Sequence, residues 1–221
     1  MSRAALFASR VLRVKGAQRP APTLFSYPGL CARPWHDRDA APFAEWVHAL
    51  EAKVPDITRE YLQVRASGAP SDYSPEGSDH DSGLHTGGDW HWASFIDRGR
   101  RRESMWAQCP HTAAALDSVP GLCVGDMPFA FAFFSTLRPG ATIKPHYAPC
   151  NLRVRCHLPL LMPEPEQCGI RVAGEVRRWE PGKCMIFDDA FEHEVWNEGT
   201  QERVVLLFDM WHWELSDDEI S

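Results

Sequence analysis

No stretch of this 221-residue chain approaches the roughly 18 consecutive apolar residues needed to cross a bilayer, and its longest apolar run, Met127 to Phe134, already contains a proline. No membrane span is expected. Positive charge is in short supply as well: Lys and Arg number 23 against 30 Asp and Glu, for a net charge of −7. A chain so charged carries no electrostatic footprint for nucleic acid or an anionic membrane surface, so neither is an expected partner. Paired cysteine motifs are also missing. The seven cysteines (31, 109, 123, 150, 156, 168 and 184) are odd in number, scattered, and nowhere spaced C-x-x-C. That excludes a zinc ribbon or a disulfide framework and fits a reducing compartment. There is no internal repeat.

What is present is an apolar fraction of 44%, enough to bury the core of one large domain. The charge is unevenly distributed. Residues 1 to 36 hold six basic side chains (Arg3, Arg10, Arg13, Lys15, Arg19, Arg33) and no acid, which leaves 17 basic against 30 acidic groups in the remainder. Leu6, Phe7, Val11 and Val14 share a helical face beside arginines, a pattern found in mitochondrial transit peptides. A disordered basic start on a cytoplasmic enzyme is the equal alternative. We therefore read residues 1–20 as a basic leader, 21–125 as a helical and loop support region, 126–213 as a β-rich core and 214–221 as an acidic tail. Phe43, Trp46, Val47 and Leu50 recur at helical spacing over Pro42 to Ala52, and further helices are expected over Asp56 to Val64 and Thr112 to Leu116. Residues 66 to 89, crowded with Gly, Ser and Asp, read as a long loop, and its Asp79-His80-Asp81 and His85 as solvated loop residues.

From Met127 onward short apolar stretches alternate with turn signals such as Arg138-Pro139-Gly140, Ala173-Gly174 and Glu180-Pro181-Gly182. Strands are expected at Phe129–Leu137, Asn151–Leu161, Ile170–Val172, Val176–Trp179, Cys184–Phe187, Glu194–Asn197 and Arg203–Trp213. Many short strands at regular spacing make a sandwich or jelly roll. The most informative stretch is Asn151 to Leu158, where alternation is strict. Asn151, Arg153, Arg155 and His157 face one way, and Leu152, Val154, Cys156 and Leu158 the other. Two guanidinium forks and an imidazole on one face match carboxylates, so this strand reads as the lining of an oxoacid site. His146 and His193 flank it in loop-to-strand positions, and imidazole is the commonest biological metal ligand. Arg203 follows His193 by ten residues at the start of the next strand, placed to grip the far end of an acid held by a metal.

Four segments bear a family resemblance: Pro-His-Tyr-Ala-Pro-Cys-Asn-Leu-Arg-Val-Arg-Cys-His-Leu (145–158), Trp-Glu-Pro-Gly-Lys (179–183), Ile-Phe-Asp-Asp-Ala-Phe-Glu-His-Glu-Val-Trp-Asn (186–197) and Asp-Met-Trp-His-Trp-Glu-Leu (209–215). The run from Ser135 to Trp213 resembles the catalytic domain of the aspartyl/asparaginyl beta-hydroxylases, Fe(II)- and 2-oxoglutarate-dependent oxygenases. Weaker similarity reaches Gly88-Asp89-Trp90, Gly99-Arg100-Arg101 and Tyr27-Pro28-Gly29-Leu30. The resemblance implies a mainly β fold, a double-stranded β-helix (jelly-roll, cupin-like) barrel with N-terminal helices packed on it. It makes His146 and His193 the catalytic iron ligands. Ser135 and Arg203 would hold the distal carboxylate of 2-oxoglutarate, with Arg155 and His157 also on the cosubstrate. Arg153 and Arg155 would face the substrate, and Trp90, beside the long loop, would line its entrance.

The second residue after the first histidine, Asp or Glu in most enzymes of this chemistry, is Ala148 here; the family likewise lacks that carboxylate. A small residue there also leaves room for halide, as in related halogenases. Asp188 and Asp189 are read as orienting a ligand from behind. The implied activity is hydroxylation of an unactivated carbon with Fe(II), 2-oxoglutarate and O2, the β-carbon of a peptidyl Asp or Asn being the first substrate reading. A barrel retained as a binding or regulatory module, and a hydroxylase of lipids or small molecules, are the alternatives.

Overall fold

The computed structural model describes residues 19–73, 85–86 and 89–220. The leader up to residue 18, the Asp79-His80-Asp81 cluster and the side chain of His85 lie outside the described residues. The chain lays down β1 (Trp35–His36), helices α1 (Ala44–Glu51) and α2 (Val54–Ala66), strands β2 (His85–Thr86), β3 (Trp90–Asp97) and β4 (Arg100–Arg101), and helices α3 (Glu103–Gln108) and α4 (Pro110–Asp117). Eight strands follow: β5 (Ala132–Leu137), β6 (Thr142–His146), β7 (Arg153–Leu161), β8 (Cys168–Val172), β9 (Glu175–Arg177), β10 (Met185–Phe187), β11 (His193–Asn197) and β12 (Arg203–Trp211). A last short helix, α5 (Asp217–Ile220), closes the described chain.

Two sheets result, one of order β1-β10-β7-β12-β5-β3-β4 and one of order β2-β6-β11-β8-β9. From β5 the chain winds between them: β5, β7, β10 and β12 join the first sheet and β6, β8, β9 and β11 the second. Their paired neighbours run antiparallel. That winding is the double-stranded β-helix expected from the sequence.

Strand β7 shows why the layers form. Val154, Cys156, Leu158 and Leu160 point outward into one apolar cluster with Val47, Leu50 and Ile57 of α1 and α2. Each such aliphatic side chain contributes about 1.5–3 kcal/mol on burial. The opposite face of the same sheet supplies Phe133, Leu137, Val205 and Leu207 to the barrel interior, where they meet Ile143, Ile170, Val172 and Val195 of the second sheet. Because helices cover one face and the barrel the other, β7 and β12 are buried on both sides. The helical layer is tied to the sheet by the Tyr61 hydroxyl, 2.9 Å from Thr136 Oγ1.

Five strands (β1, β2, β3, β4 and β6) and two helices (α3 and α5) are additions to the sequence expectation. β6 contains Pro145, which argues against a strand, yet it lies next to the sheet edge formed by β2, and β3 is irregular because its pairing to β5 slips between Ser94 and Ile96. α3, Glu103–Gln108, is too short to display a helical period.

Near the N-terminus, the backbone from Ala21 to Tyr27 straps across two loops. Ala21 N donates to Ala190 O (2.9 Å), Thr23 N to Ala148 O (3.0 Å), and Leu24 N and Phe25 N to Pro149 O (3.0 Å each). Asn151 fastens the end, accepting from Tyr27 N at 2.7 Å and donating to Tyr27 O at 3.0 Å.

Candidate active site

His146 ends β6 and His193 opens β11, and the two are direct partners across the antiparallel pair. Their side chains therefore project from the same side of the sheet, with ring centroids 4.0 Å apart. Nδ1 of His146 lies 2.7 Å from Lys144 O, and Nδ1 of His193 lies 2.9 Å from Phe191 O. A carbonyl only accepts, so each Nδ1 carries the proton, and a ring that is neutral in this tautomer has its lone pair on Nε2. Burial, with the neighbouring His146, holds the His193 pKa well below its usual value. Two neutral imidazoles with matched tautomers are a fitting donor pair for a divalent transition metal. Ala148 supplies no third donor, its N–H going to Asp189 O at 2.8 Å and its carbonyl to Thr23. Among the described residues no group of three or more His, Cys, Asp or Glu side chains is placed to hold a metal ion.

Deeper in the barrel, Arg203 is 1% exposed and forms no ion pair with a carboxylate among the described residues. Its Nη1 reaches Ser135 Oγ at 3.4 Å and Ser135 O at 3.5 Å, its Nε has no partner, and its guanidinium carbon lies 4.8 Å from the centre of the Trp179 ring. Burial lowers its pKa to about 10, which leaves it charged at neutral pH. A buried, uncompensated cation is costly unless an anion joins it. Ser135 is buried beside it, and its Oγ also accepts a bond from Trp90 Nε1 at 2.9 Å. His157, on the neighbouring strand, is buried with neither ring nitrogen hydrogen-bonded; burial and the Arg203 charge keep it neutral.

Arg153 and Arg155 occupy the inward face, as their alternation predicts, but they meet two carboxylates there. Arg153 pairs with Asp189 at 3.0 Å and with Asp209, and its side chain is only 3% exposed. Arg155 makes a bidentate contact with Asp209 (2.8 and 3.1 Å), lies 3.3 Å from Asp189, and keeps 14% of its side chain exposed. The four charges cancel. Asp188, next in the chain, is buried away from this set with its pKa pushed up to about 8 by burial and the Asp189 charge; its Oδ1 accepts from Ala190 N at 2.9 Å.

Residues 51–213 match the Aspartyl/Asparaginyl beta-hydroxylase family. The chain belongs to this family. It is 36% identical to human "Aspartyl/asparaginyl beta-hydroxylase" over 202 residues, 89% of this chain and 25% of that protein. It is 34% identical to the mouse "Aspartate beta-hydroxylase domain-containing protein 2" over 194 residues, 86% of this chain and 54% of that one. Over 124 residues, 55% of this chain and 42% of the other, it is 40% identical to "Ornithine lipid ester-linked acyl 2-hydroxylase" of Rhizobium tropici. The chain thus spans from a quarter to about half of these relatives.

The barrel brings seven of the eight candidate residues read from the sequence of this beta-hydroxylase relative (Ser135, His146, Arg153, Arg155, His157, His193 and Arg203) to the inner faces of its two sheets. Trp90 joins them through Ser135. Two site residues are new. Asp209 stands on the inward phase of β12 with Arg203, Val205 and Leu207, a period of two that was available in the sequence. Trp179 forms the floor beneath the Arg203 guanidinium. His212 is buried with Nε2 3.1 Å from Cys31 O.

Proposed function

We propose that this chain is an Fe(II)- and 2-oxoglutarate-dependent dioxygenase that hydroxylates an unactivated carbon. Residues 126–213 form the oxygenase core and residues 21–125 support it. His146 and His193 hold the metal through Nε2. Arg203 and Ser135 take the distal carboxylate of 2-oxoglutarate, while His157 and Arg155 border its other end. Bound there, Fe(II) with O2 and 2-oxoglutarate supplies the oxidising power to place one oxygen atom in a C–H bond, with succinate and carbon dioxide as coproducts. The protein's own part is to fix the reactants' positions and exclude water. The observation that carries the reading is Arg203: a buried guanidinium without a counter-ion among the described residues, on the sheet that faces the one carrying the paired histidines.

For substrate we propose a peptide bearing Asp or Asn, hydroxylated at the β-carbon, with the partly exposed Arg155 facing its carboxylate or amide. Arg153, engaged by Asp189 and Asp209, holds that arginine's surroundings in place. A second reading, an acyl chain, is favoured by the likeness to the Rhizobium tropici protein and by Leu24 and Phe25, 57% and 50% exposed on the strap beside the histidine loops. Among the described residues no helix is long and apolar enough to cross a membrane. All seven cysteines are free thiols, in keeping with a cytoplasmic or mitochondrial setting.

The test is succinate release by the purified protein with Fe(II), ascorbate and 2-oxoglutarate, with and without Asp/Asn peptides or acylated lipids. Release that depends on one substrate class, with a product heavier by one oxygen, identifies that class. Absence of succinate above background with every class leaves a binding module and overturns the enzyme reading.

A further inference from the structure

We propose that the strap from Ala21 to Tyr27 is a positioning element for the metal site, with Thr23 at its centre, and that it holds the two histidine loops in their metal-binding arrangement. The inference rests on the two-histidine site proposed above and adds to it a segment from near the N-terminus. Sheet pairing fixes each histidine on one side only. His146 closes β6 and His193 opens β11, and the pairing slips between His193 and Val195. After His146 and before His193 the chain is irregular. The two loops meet through Ala148 N, which donates to Asp189 O at 2.8 Å, and the strap lies across this junction. Thr23 N donates to the carbonyl of the same Ala148 at 3.0 Å, Leu24 N and Phe25 N donate to Pro149 O at 3.0 Å each, and Phe25 bridges to Cys150. On the other loop, Ala21 N donates to Ala190 O at 2.9 Å, and farther along Pro34 O accepts from Asp188 N at 3.1 Å. Three segments thus share one hydrogen-bonded junction, and a shift of either histidine loop breaks a bond to the strap.

Apolar side chains do not account for this docking. Leu24 and Phe25 stay 57% and 50% exposed, so the strap is held by its main chain and by Asn151, which grips both Tyr27 N and Tyr27 O. A site built on two imidazoles depends on such outer contacts, because ligands held in place beforehand spare an ordering cost when the metal binds. The coupling runs both ways. If a docked strap raises metal affinity by some factor, bound metal strengthens the docking of the strap by the same factor.

The experiment needs no turnover and uses the full chain with redox-inert Zn(II) and with Co(II) as a visible probe, for wild type, Thr23→Pro, Asn151→Ala, Asn151→Asp and His193→Ala. Thr23→Pro deletes the N–H that meets Ala148 O. Asn151→Ala frees the end of the strap, and Asn151→Asp keeps the acceptor for Tyr27 N. By chelator competition, Thr23→Pro and Asn151→Ala should each weaken Zn(II) binding about tenfold, the lower end of what outer contacts contribute to a metal site. Asn151→Asp should fall between them and wild type, and the visible spectrum of bound Co(II) should change in Thr23→Pro and Asn151→Ala. In wild type, Zn(II) should slow hydrogen exchange at the Thr23, Leu24 and Phe25 amides by a similar factor, and in His193→Ala it should not. A strap that only stabilised the fold would lower Tm on mutation and move neither the Co(II) spectrum nor the metal dependence of exchange.

Unchanged Zn(II) affinity in both Thr23→Pro and Asn151→Ala overturns the inference, and so does strap exchange in wild type that ignores Zn(II). Near-UV circular dichroism checks the fold, and if both variants lose it the exchange measurement on wild type decides alone. If wild type binds Zn(II) no better than His193→Ala, the metal site itself is wrong and the inference falls with it. If wild type binds and the strap variants match it, the metal site stands and the role of the strap alone fails.

Discussion

An arginine buried without a counter-ion stabilises a bound anion more than it stabilises the protein. Arg203→Met, which keeps length and removes charge, should leave the ligand-free protein as stable as wild type or more so, because it relieves an uncompensated buried cation. It should abolish the rise in Tm that 2-oxoglutarate with Zn(II) gives wild type, and thermal melts with and without ligand check both halves. Asp188 gives a second prediction at this scale. Its folded pKa of about 8 lies above the usual value of 3.8, so from pH 4 the unfolded chain ionises while the folded chain keeps its proton. Stability from this group is complete below pH 4 and is lost progressively up to pH 8, at no more than about 1.4 kcal/mol per pH unit. Asp188→Asn retains the bond from Ala190 N and has no such dependence. Its advantage over wild type should grow from pH 4 to 8 and then level off; urea midpoints that differ by a constant amount at pH 5 and 7.5 would contradict this. Much of the residue scale was readable from the chain. The inward phase of Arg153, Arg155 and His157 followed from strict alternation. Their pairing with Asp189 and Asp209 did not, since which carboxylate faces which guanidinium is decided by strand order and register.

Elements here are finished by distant residues. Helix α4 begins after Cys109 without a side-chain cap of its own. Glu60 of α2 fills the role: its carboxylate accepts from His111 N and Thr112 N at 2.8 Å each and from Thr112 Oγ1 at 2.6 Å. A carboxylate on exposed N–H groups at a helix start is favourable both as hydrogen bonding and as charge against the dipole. Glu60→Ala should cost about 2–4 kcal/mol, with Glu60→Gln between it and wild type, measured by chemical denaturation. A cap 50 residues away leaves no trace in the local sequence. Close approach between strands was equally hidden. A Cβ on Gly169 would fall 2.2 Å from the ring of Trp196, its partner across the β8–β11 pair. Gly169→Ala should therefore displace that ring and destabilise the second sheet, visible as a lowered Tm and an altered tryptophan signal.

At the scale of the whole molecule, the layers separate stability from chemistry. Ile57, fully buried, belongs to the apolar cluster between the helices and the outer face of the first sheet. Ile57→Ala should cost about 2–5 kcal/mol in unfolding free energy and leave the 2-oxoglutarate affinity of the folded protein unchanged. The β-helix was legible because most of its strands, β6 with Pro145 excepted, carry their own turn signals and apolar pattern. The contribution of residues 21–125 to both sheets was not, since β1, β2 and β4 have two residues each and exist only by pairing with strands formed elsewhere.

Strand β12 has one more consequence. It is the last strand in the chain, yet it lies in the middle of the first sheet, between β7 and β5. During synthesis the earlier strands must wait for it, and β5 and β7 have no edge to share until residues 203–211 have left the ribosome. Arg203 leads that strand in, so the nascent chain gains its buried guanidinium at the same moment that the gap in the wall is filled.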